Sequence, residues 1–127
     1  MMSPGWLNDI VRAFGRQMGL RQFALDDRGV AGVRFETGLA LRFEYARESL
    51  MVTAGVPMAA SADGLRRLLQ AAHPAVRRPV VRAAYLARTG EGLFVVRLPE
   101  RDVSVTALEA VFNRLWEAAE TLRRSVS

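Results

Sequence analysis

Residues 32–57 read GVRFETGLALRFEYARESLMVTAGVP, and this stretch decides the fold. Apolar side chains occupy every second position through most of it, with charged or small residues between them. A period of two is that of a β-strand with one buried and one solvated face. Thr37-Gly38 predicts a two-residue hairpin turn, and residues 47–49 predict a looser turn. The stretch therefore predicts three antiparallel strands in sequence, the third of which ends at Pro57.

Three helices are predicted outside these strands, because apolar residues recur there at helical spacing. The first helix begins near Ser3 and Pro4 and ends at Gly19, and the second begins at Ser61. His73 ends the second helix, since the residue before a proline disfavours the α conformation. The apolar stripes of the three helices are Leu7, Ile10, Val11, Phe14 and Met18; Leu65, Leu68, Leu69 and Ala72; and Leu108, Val111, Phe112, Leu115, Ala119, Leu122 and Val126.

Two further strands are predicted at residues 81–88 and 93–98, with a turn at residues 89–92 between them. Both faces of the strand at 93–98 are apolar, which is typical of a strand covered on both sides. Thr106 and Glu109 have the spacing of a capping box, which predicts the start of the third helix.

The order of elements is helix, three strands, helix, two strands, helix. It predicts an α+β fold in which a twisted antiparallel sheet carries the helices on one face. The 127 residues are the length of one ordinary domain, so residues 1–127 are expected to form a single domain. Residues 21–28 are compatible with a short extended piece before the first strand, and residues 27–29 with a turn.

The residue types that most often carry chemistry are scarce. The chain has no cysteine, which excludes disulfides, thiolate ligands and a cysteine nucleophile. His73 is the only histidine, and at a helix end before a proline we interpret it as a cap or surface residue rather than a general base. The acid pair Asp26-Asp27 precedes Gly29 and favours a turn over a catalytic dyad. We therefore expect no enzymatic activity, no metal and no cofactor.

The charge is concentrated in one part of the chain. The formal net charge is +5, and all 18 basic residues are arginine. Between positions 64 and 101, eight arginines stand against two glutamates. We interpret this segment as solvated surface, and we expect Arg77, Arg78 and Arg82 to lie on a surface loop that contributes little to stability.

A nucleic-acid-binding domain that uses the Arg-rich segment 66–101 is the alternative interpretation of that charge. The sequence disfavours it, because no helix-turn-helix motif or RNP-like strand accompanies the arginines. Tyr85 and Phe94 are the only aromatic residues in the segment, too few for a stacking platform.

Four segments, taken in order, resemble the class I type III secretion chaperones, the family of the Tir chaperone. The segments are MGLRQFALDDRG at 18–29, GVRFETGLALRFEY with LMVTAGVP at 32–57, GLRRLLQAAHP at 64–74, and AAYLARTGEGLFVVRLPERDVSVTALEAVFNRLWEAAETLRRS at 83–125. None of them is a catalytic motif, so the ordered combination over residues 7–124 carries the resemblance.

The resemblance implies a homodimer that binds the N-terminal, non-globular segment of a secreted effector and keeps it soluble and competent for secretion. It also implies no cofactor and a cytoplasmic location in a Gram-negative bacterium, which agrees with the lack of a signal-like apolar run in residues 1–30. Members are commonly acidic, so the charge of +5 departs from the family pattern and leaves the charge of the partner open. An adaptor of the YbjN-like kind, with the same helix-and-sheet architecture, remains an alternative.

Apolar residues beyond those needed for a core are the candidates for partner contact. We expect Leu7, Phe14, Phe112 and Leu115 to be core residues. The predicted effector-binding residues are Phe23, Leu25, Val33, Phe35, Leu41 and Phe43. The predicted dimer interface, in the region through which family members form their subunit contact, comprises Leu65, Leu68, Leu69 and Tyr85.

Overall fold

A computed structural model describes residues 3–73 and 79–126. Within these residues the chain forms three α-helices, five β-strands and one short 3₁₀ turn. In chain order they are α1 (Gly5–Gln17), β1 (Val30–Arg34), β2 (Ala40–Ala46), β3 (Ser49–Pro57), α2 (Ala62–Ala72), β4 (Arg82–Leu86), β5 (Glu91–Pro99), the 3₁₀ turn (Glu100–Asp102) and α3 (Val105–Val126). This order confirms the predicted α+β fold.

The five strands form one antiparallel sheet with the order β1-β2-β3-β5-β4. The 32–57 stretch supplies β2, β3 and most of β1, and β5 pairs with β3 rather than with β1. Phe43 stands opposite Val52, and Val52 stands opposite Val96, so one row of apolar side chains crosses the middle of the sheet. The core forms between this face and the helices.

The helices cover the face of the sheet that the alternation predicted to be buried. In α1, Leu7, Val11 and Phe14 are fully buried, and in α3 the stripe from Leu108 to Leu122 is buried as predicted. Met18 was expected in the α1 stripe, but it is 37% exposed because the helix has ended at Gln17.

The first turn of the sheet is one residue longer than predicted. The backbone N–H of Phe35 donates to the carbonyl oxygen of Leu39, and the N–H of Gly38 donates to that of Phe35. Phe35 and Leu39 are therefore the last hydrogen-bonded pair of the hairpin, and the three residues 36–38 form its loop, with Gly38 at a φ of 91°. This is the hairpin in which a turn is followed by a left-handed residue, and glycine adopts that conformation at the lowest cost.

The second turn is tighter than predicted. Ala46 pairs with Ser49, so Arg47 and Glu48 alone connect β2 to β3, with φ values of 51° and 60°. Positive φ at both central residues matches the twist of a two-residue hairpin. Neither residue is asparagine or glycine, so the sequence predicted a turn here but not its tight two-residue form.

The boundaries of β4 and β5 also differ from the prediction. β4 covers only Arg82–Leu86, and β5 begins at Glu91 rather than at residue 93. The turn between them occupies residues 87–90, where Gly90 has a φ of 70° and its N–H donates to the carbonyl oxygen of Leu86. The prediction placed the turn two residues late because it took Glu91 and Gly92 as turn residues.

A serine side chain caps the start of both α2 and α3, and only the first of these caps was predicted. Ser61 caps α2 as predicted, since its Oγ accepts a hydrogen bond from the N–H of Gly64 at 2.9 Å. The capping box at Thr106 and Glu109 is wrong: α3 begins two residues earlier, and Ser104 Oγ accepts from the N–H of Ala107 at 3.0 Å. A serine at this position provides the same local acceptor as a threonine.

The predicted end of α2 and the predicted turn before β1 are both present. His73 ends α2 with an extended backbone. Asp26 Oδ1 accepts from the N–H groups of Arg28 and Val30, which forms the turn before β1. The loop expected after Pro74 lies largely outside the described residues, as do Arg77 and Arg78.

Residues 21–28 form no strand, because they are bound to α1 instead of to the sheet. The Asn8 side chain accepts from the N–H of Leu25 at 2.9 Å and donates to its carbonyl oxygen at 3.3 Å. About two helical turns away, Gly15 lies against Phe23 so closely that a Cβ on Gly15 would be 2.7 Å from that of Phe23. A side chain at position 15 would therefore separate this segment from the helix.

We expect Gly15→Ala to lower the free energy of unfolding by about 1–3 kcal/mol, the usual cost of overpacking a tight contact. Urea denaturation followed by circular dichroism measures this change. Gly5→Ala is the matched control, since a Cβ there meets nothing within 4 Å, and it should leave stability unchanged or slightly raised. Equal stabilities of the two variants would contradict the proposed close contact.

Candidate protein-binding surfaces

Four of the six residues predicted to contact an effector lie in the core. Their exposed fractions are 5% for Phe23, 5% for Leu25, 3% for Leu41 and 0% for Phe43. The ring of Phe43 lies 5.4 Å from that of Phe14 in α1 and 5.0 Å from that of Phe23. Because none of the four side chains is more than 5% exposed, they offer a partner almost no surface in this conformation.

Val33 and Phe35, the other two residues, lie half-buried near the β1 edge of the sheet. The ring of Phe35 packs edge-on against Trp116 of α3, with centroids 5.2 Å apart. Trp116 in turn stacks on Phe112 at 5.4 Å. A small apolar depression of about 10 Å³, which we call the Phe35 groove, lies here; its lining includes Phe35, Leu39, Leu41, Phe112, Leu115 and Trp116.

Trp116 was not among the predicted site residues. It lies four residues after Phe112, so both side chains project from one side of α3. Helical periodicity could therefore have identified it as a neighbour of the core stripe. The contact with Phe35 could not be predicted, because it depends on where the first hairpin meets α3.

The edge strand β1 lies beside the Phe35 groove. β1 pairs with β2 on one side only, and in the described part of the chain no strand pairs with its other side. Backbone N–H and C=O groups on such an edge can pair with an extended segment of another chain, while its side chains fill nearby pockets.

The residues predicted for a dimer interface divide into exposed and buried members. Leu65 and Leu69 are 38% and 64% exposed, and they lie one helical turn apart on the solvent side of α2. Leu68 is 2% exposed and belongs to the core, and Tyr85 in the edge strand β4 is half-buried. Two exposed leucines on one helix face are costly to leave in water, so this face of α2 is a candidate for an interface.

The arginines of the 66–101 segment do not form one patch. Arg66 and Arg67 extend from α2 and bind the two carboxylate oxygens of Asp63, at 2.7 and 2.8 Å. Arg67 also donates to the carbonyl oxygen of Ser125, which connects α2 to the end of α3. These two arginines are therefore engaged in stabilising the helical layer.

Other arginines of the segment lie on the opposite side of the molecule. Arg82 and Arg97 extend from β4 and β5 on the face of the sheet that carries no helix among the described residues, and Arg88 lies in the adjoining turn. Arg82 was expected in a loop, but it is the first residue of β4. We call this side of the sheet the outer face; its residues include Arg34, Arg42, Met51, Thr53, Arg82, Leu86, Leu93, Val95 and Arg97.

The outer face explains the apolar pattern on both sides of β5. Phe94 and Val96 are buried beneath the helices, whereas Leu93 and Val95 on the outer face are only half-buried. We expected β5 to be covered on both faces, but in the part of the chain that the structure describes no element packs on its outer face. Apolar surface therefore remains at the centre of the outer face.

The few residues that could bind a metal do not form a site in residues 3–73 and 79–126. His73 is exposed at the end of α2. No three histidine, aspartate or glutamate side chains in these residues are close enough to hold a metal ion. None of the described helices has the length and apolar character needed to span a membrane.

Residues 9–123 match the model of the Tir chaperone protein (CesT) family. No curated protein sequence matches the chain. The family match covers all five strands, α2 and nearly all of α3.

Several solved structures have a similar fold. A chain of the ExsC-ExsE complex superposes with a TM-score of 0.74 at 18% identity, covering 99% of this chain and 97% of that one. The type III secretion chaperone SycH of Yersinia pestis, solved with a fragment of YscM2, gives 0.70 at 19% identity, covering 91% and 98%. A chain of the ExoU-SpcU complex from the type III secretion system of Pseudomonas aeruginosa gives 0.67 at 18%, covering 91% and 96%.

The ion pairs of α2 give a test of its electrostatics. Hydrogen bonds from Arg67 and then Arg66 hold the pKa of Asp63 below its usual value. A lowered pKa means that this interaction stabilises the fold at neutral pH and is lost as the pH falls through the pKa of the folded state. We expect Arg67→Ala to raise the pKa of Asp63 towards its usual value, as measured by NMR titration of the carboxyl carbon. The same pKa in Arg67→Ala and wild type would contradict this assignment.

Proposed function

The chain belongs to the Tir chaperone family, and from this membership we propose that it is a type III secretion chaperone that acts as a homodimer. It binds the N-terminal, non-globular segment of a secreted effector, keeps that segment soluble and delivers it in a form competent for secretion. The observation that carries the proposal is the family match over residues 9–123. The proposal places the protein in the cytoplasm of a Gram-negative bacterium and gives it no catalytic role and no cofactor.

The fold supports this function, because its relatives are found with protein partners. One similar structure is described as the HopA1-SchA chaperone-effector complex, with a TM-score of 0.71 at 19% identity. The family match favours a chaperone over the YbjN-like adaptor. The separation of Arg66 and Arg67 from the outer-face arginines weakens the nucleic-acid alternative, because a binding track along phosphates needs a continuous basic surface.

The Phe35 groove and the free edge of β1 are the best-supported contact site for the effector segment. Phe35, Trp116 and Val33 are partly exposed, so an apolar side chain of a partner can pack on them. Beyond Val30, whose N–H and carbonyl oxygen are already hydrogen-bonded to Asp26, the edge of β1 supplies backbone hydrogen bonds to the same extended segment. Of the buried residues, Leu41 lines the groove, whereas Phe23, Leu25 and Phe43 belong to the core.

The homodimer is proposed to form through Leu65 and Leu69 of α2, next to Tyr85 of the edge strand β4. α2 packs against α3 and β4, so its exposed leucines and the sheet edge can lie in one contact surface. Isologous pairing of that surface would remove the leucines from water in both subunits.

We expect Leu69→Asp to dissociate the dimer without unfolding the subunit, because Leu69 is 64% exposed in the subunit but would place a charge inside the interface. Sedimentation velocity at micromolar concentration measures the state of association. Leu68→Asp is expected to unfold the chain, since Leu68 is 2% exposed.

Gln70→Asp is the matched control for the dimer. It adds the same charge to the same exposed end of α2, about 100° around the helix from Leu69, and it should leave the dimer intact. A monomeric wild-type protein, or a Leu69→Asp variant that sediments as a dimer, would contradict the proposed interface.

We expect the effector segment to bind chiefly through apolar contacts at the Phe35 groove. Phe35→Ala should weaken binding by about tenfold or more, the effect of removing a central aromatic contact. Wild-type affinity should change little from low to moderate salt, because apolar burial is not screened whereas phosphate contacts are. Calorimetry with the N-terminal segment of the partner that co-purifies from the native cell measures both effects.

Val80→Ala is the control for that experiment, because Val80 is exposed beside β4, the strand at the opposite edge of the sheet. It should bind the segment as wild type does. Binding that disappears at moderate salt while Phe35→Ala binds normally would assign the site to the arginines instead.

A further inference from the structure

We propose that the outer face of the sheet binds an acidic, partly apolar segment of a protein partner. This inference rests on the proposed function, in that it assigns a second contact surface to a stretch of the effector other than the segment bound at the Phe35 groove, and an acidic charge to that stretch. The family resemblance does not supply that charge, since members are commonly acidic and this chain carries +5.

The outer face contains a shallow groove of about 610 Å³ that crosses the strands. Gly32 and Gly55 lie among its lining residues, and a Cβ on Gly55 would come within 3.0 Å of Glu91 Oε2 and 3.4 Å of Leu93 Cδ2. The side chains of Glu91 and Leu93 thus fill the space above Gly55. A Cβ on Gly32 would meet only the carbonyl oxygen of Leu41, at 3.6 Å, so another chain can approach the backbone closely at Gly32.

Arginines surround this groove in excess over acids. Arg34, Arg42 and Arg88 line it, and Arg82 and Arg97 extend from the same face. Two glutamates partly offset them: Glu91 lies 3.6 Å from Arg34, and Glu44 lies 3.4 Å from Arg42.

Three of these arginines have no acidic partner within the described part of the chain. No carboxylate there lies within 4.0 Å of Arg82, Arg88 or Arg97. Their charges are therefore available to acidic side chains of a ligand, and complementary charge raises both the association rate and the specificity of binding.

The centre of the face is apolar, so a purely acidic ligand would not fit it best. Met51 is 40% and Leu86 37% exposed, and Leu93 and Val95 are half-buried between them on adjacent strands. An extended segment that carries apolar and acidic side chains two positions apart, on the same side of its backbone, could place the apolar ones on this strip and the acidic ones beside the arginines.

Two other occupants fit less well. The outer-face positions of the described strands include no aromatic side chain, so a nucleic acid would find charge but no surface for base stacking. A second copy of the chain would bring two basic faces together, and like charges across an interface oppose association.

The test uses fluorescence anisotropy with three labelled probes. They are a synthetic peptide that repeats glutamate–serine–leucine–serine, its counterpart with glutamine in place of glutamate, and single-stranded oligothymidylate. The wild-type chain should bind the glutamate peptide at least about tenfold more tightly than the glutamine peptide. The double variant Arg42→Glu/Arg88→Glu should lose about tenfold or more in affinity for the glutamate peptide. Sedimentation velocity and the melting temperature verify that this variant is folded; if it is not, Arg42→Gln/Arg88→Gln replaces it.

The control is Arg12→Glu/Arg16→Glu, which makes the same change of charge on the exposed side of α1. This variant should bind the glutamate peptide as wild type does. Equal binding of the two peptides, tighter binding of the oligothymidylate, or an equal loss in the α1 control would each overturn the proposal.

The same variants separate this inference from the proposed function. If the Arg42/Arg88 variants bind the peptide normally while Phe35→Ala loses the effector segment, the outer-face site is wrong and the chaperone function stands. If no secreted partner binds but the peptide still depends on Arg42 and Arg88, the chaperone function is wrong and the acidic-segment site stands.

Discussion

The whole structure depends on a sheet that is covered on one face only. Phe43, Val52 and Val96 stand in one row across β2, β3 and β5, and the described helices pack on that row. A slip of one residue in any of these strands would turn its apolar side chains to the solvent, so the register is strongly specified. The opposite face consequently keeps exposed groups that the fold itself does not use.

The packing of the helices on the sheet requires a small residue near the start of β5. A Cβ on Gly92 would be 2.7 Å from Met58 Sδ, 3.0 Å from Leu68 Cδ1 and 3.2 Å from Leu122 Cδ2. Gly92 thus allows α2 and α3 to meet above β5, and this placement fixes which leucines of α2 are buried and which remain exposed. Because the contact at Gly92 sets the position of α2, it also determines that Leu69 faces the solvent, where we propose the dimer surface.

Local patterns predicted much of the fold, because alternation and helical spacing report which side of an element is buried. The strand at residues 50–57, the cap at Ser61 and the stripe from Leu108 are examples. Features set by distant residues could not be predicted. The side chain of Asn8 binds the backbone of Leu25, 17 positions away, and no local pattern reveals such a contact.

The candidate site was harder to predict for the same reason. Periodicity identified Phe35 and Phe43 equally as apolar strand residues, yet α1 covers Phe43 and leaves Phe35 at the edge against Trp116. Whether an apolar side chain is core or groove depends on the layer that covers it, which is a property of the assembled fold.

The most direct test of the central claim, that an extended partner segment binds to surfaces left free by this one-sided sheet, is hydrogen–deuterium exchange of the chain with and without its effector segment. We expect the segment to slow exchange in β1 (Val30–Arg34), whose free edge gains hydrogen bonds, while the buried strand β3 (Ser49–Pro57) exchanges as before. Unchanged exchange in β1 on formation of a stable complex would contradict the claim.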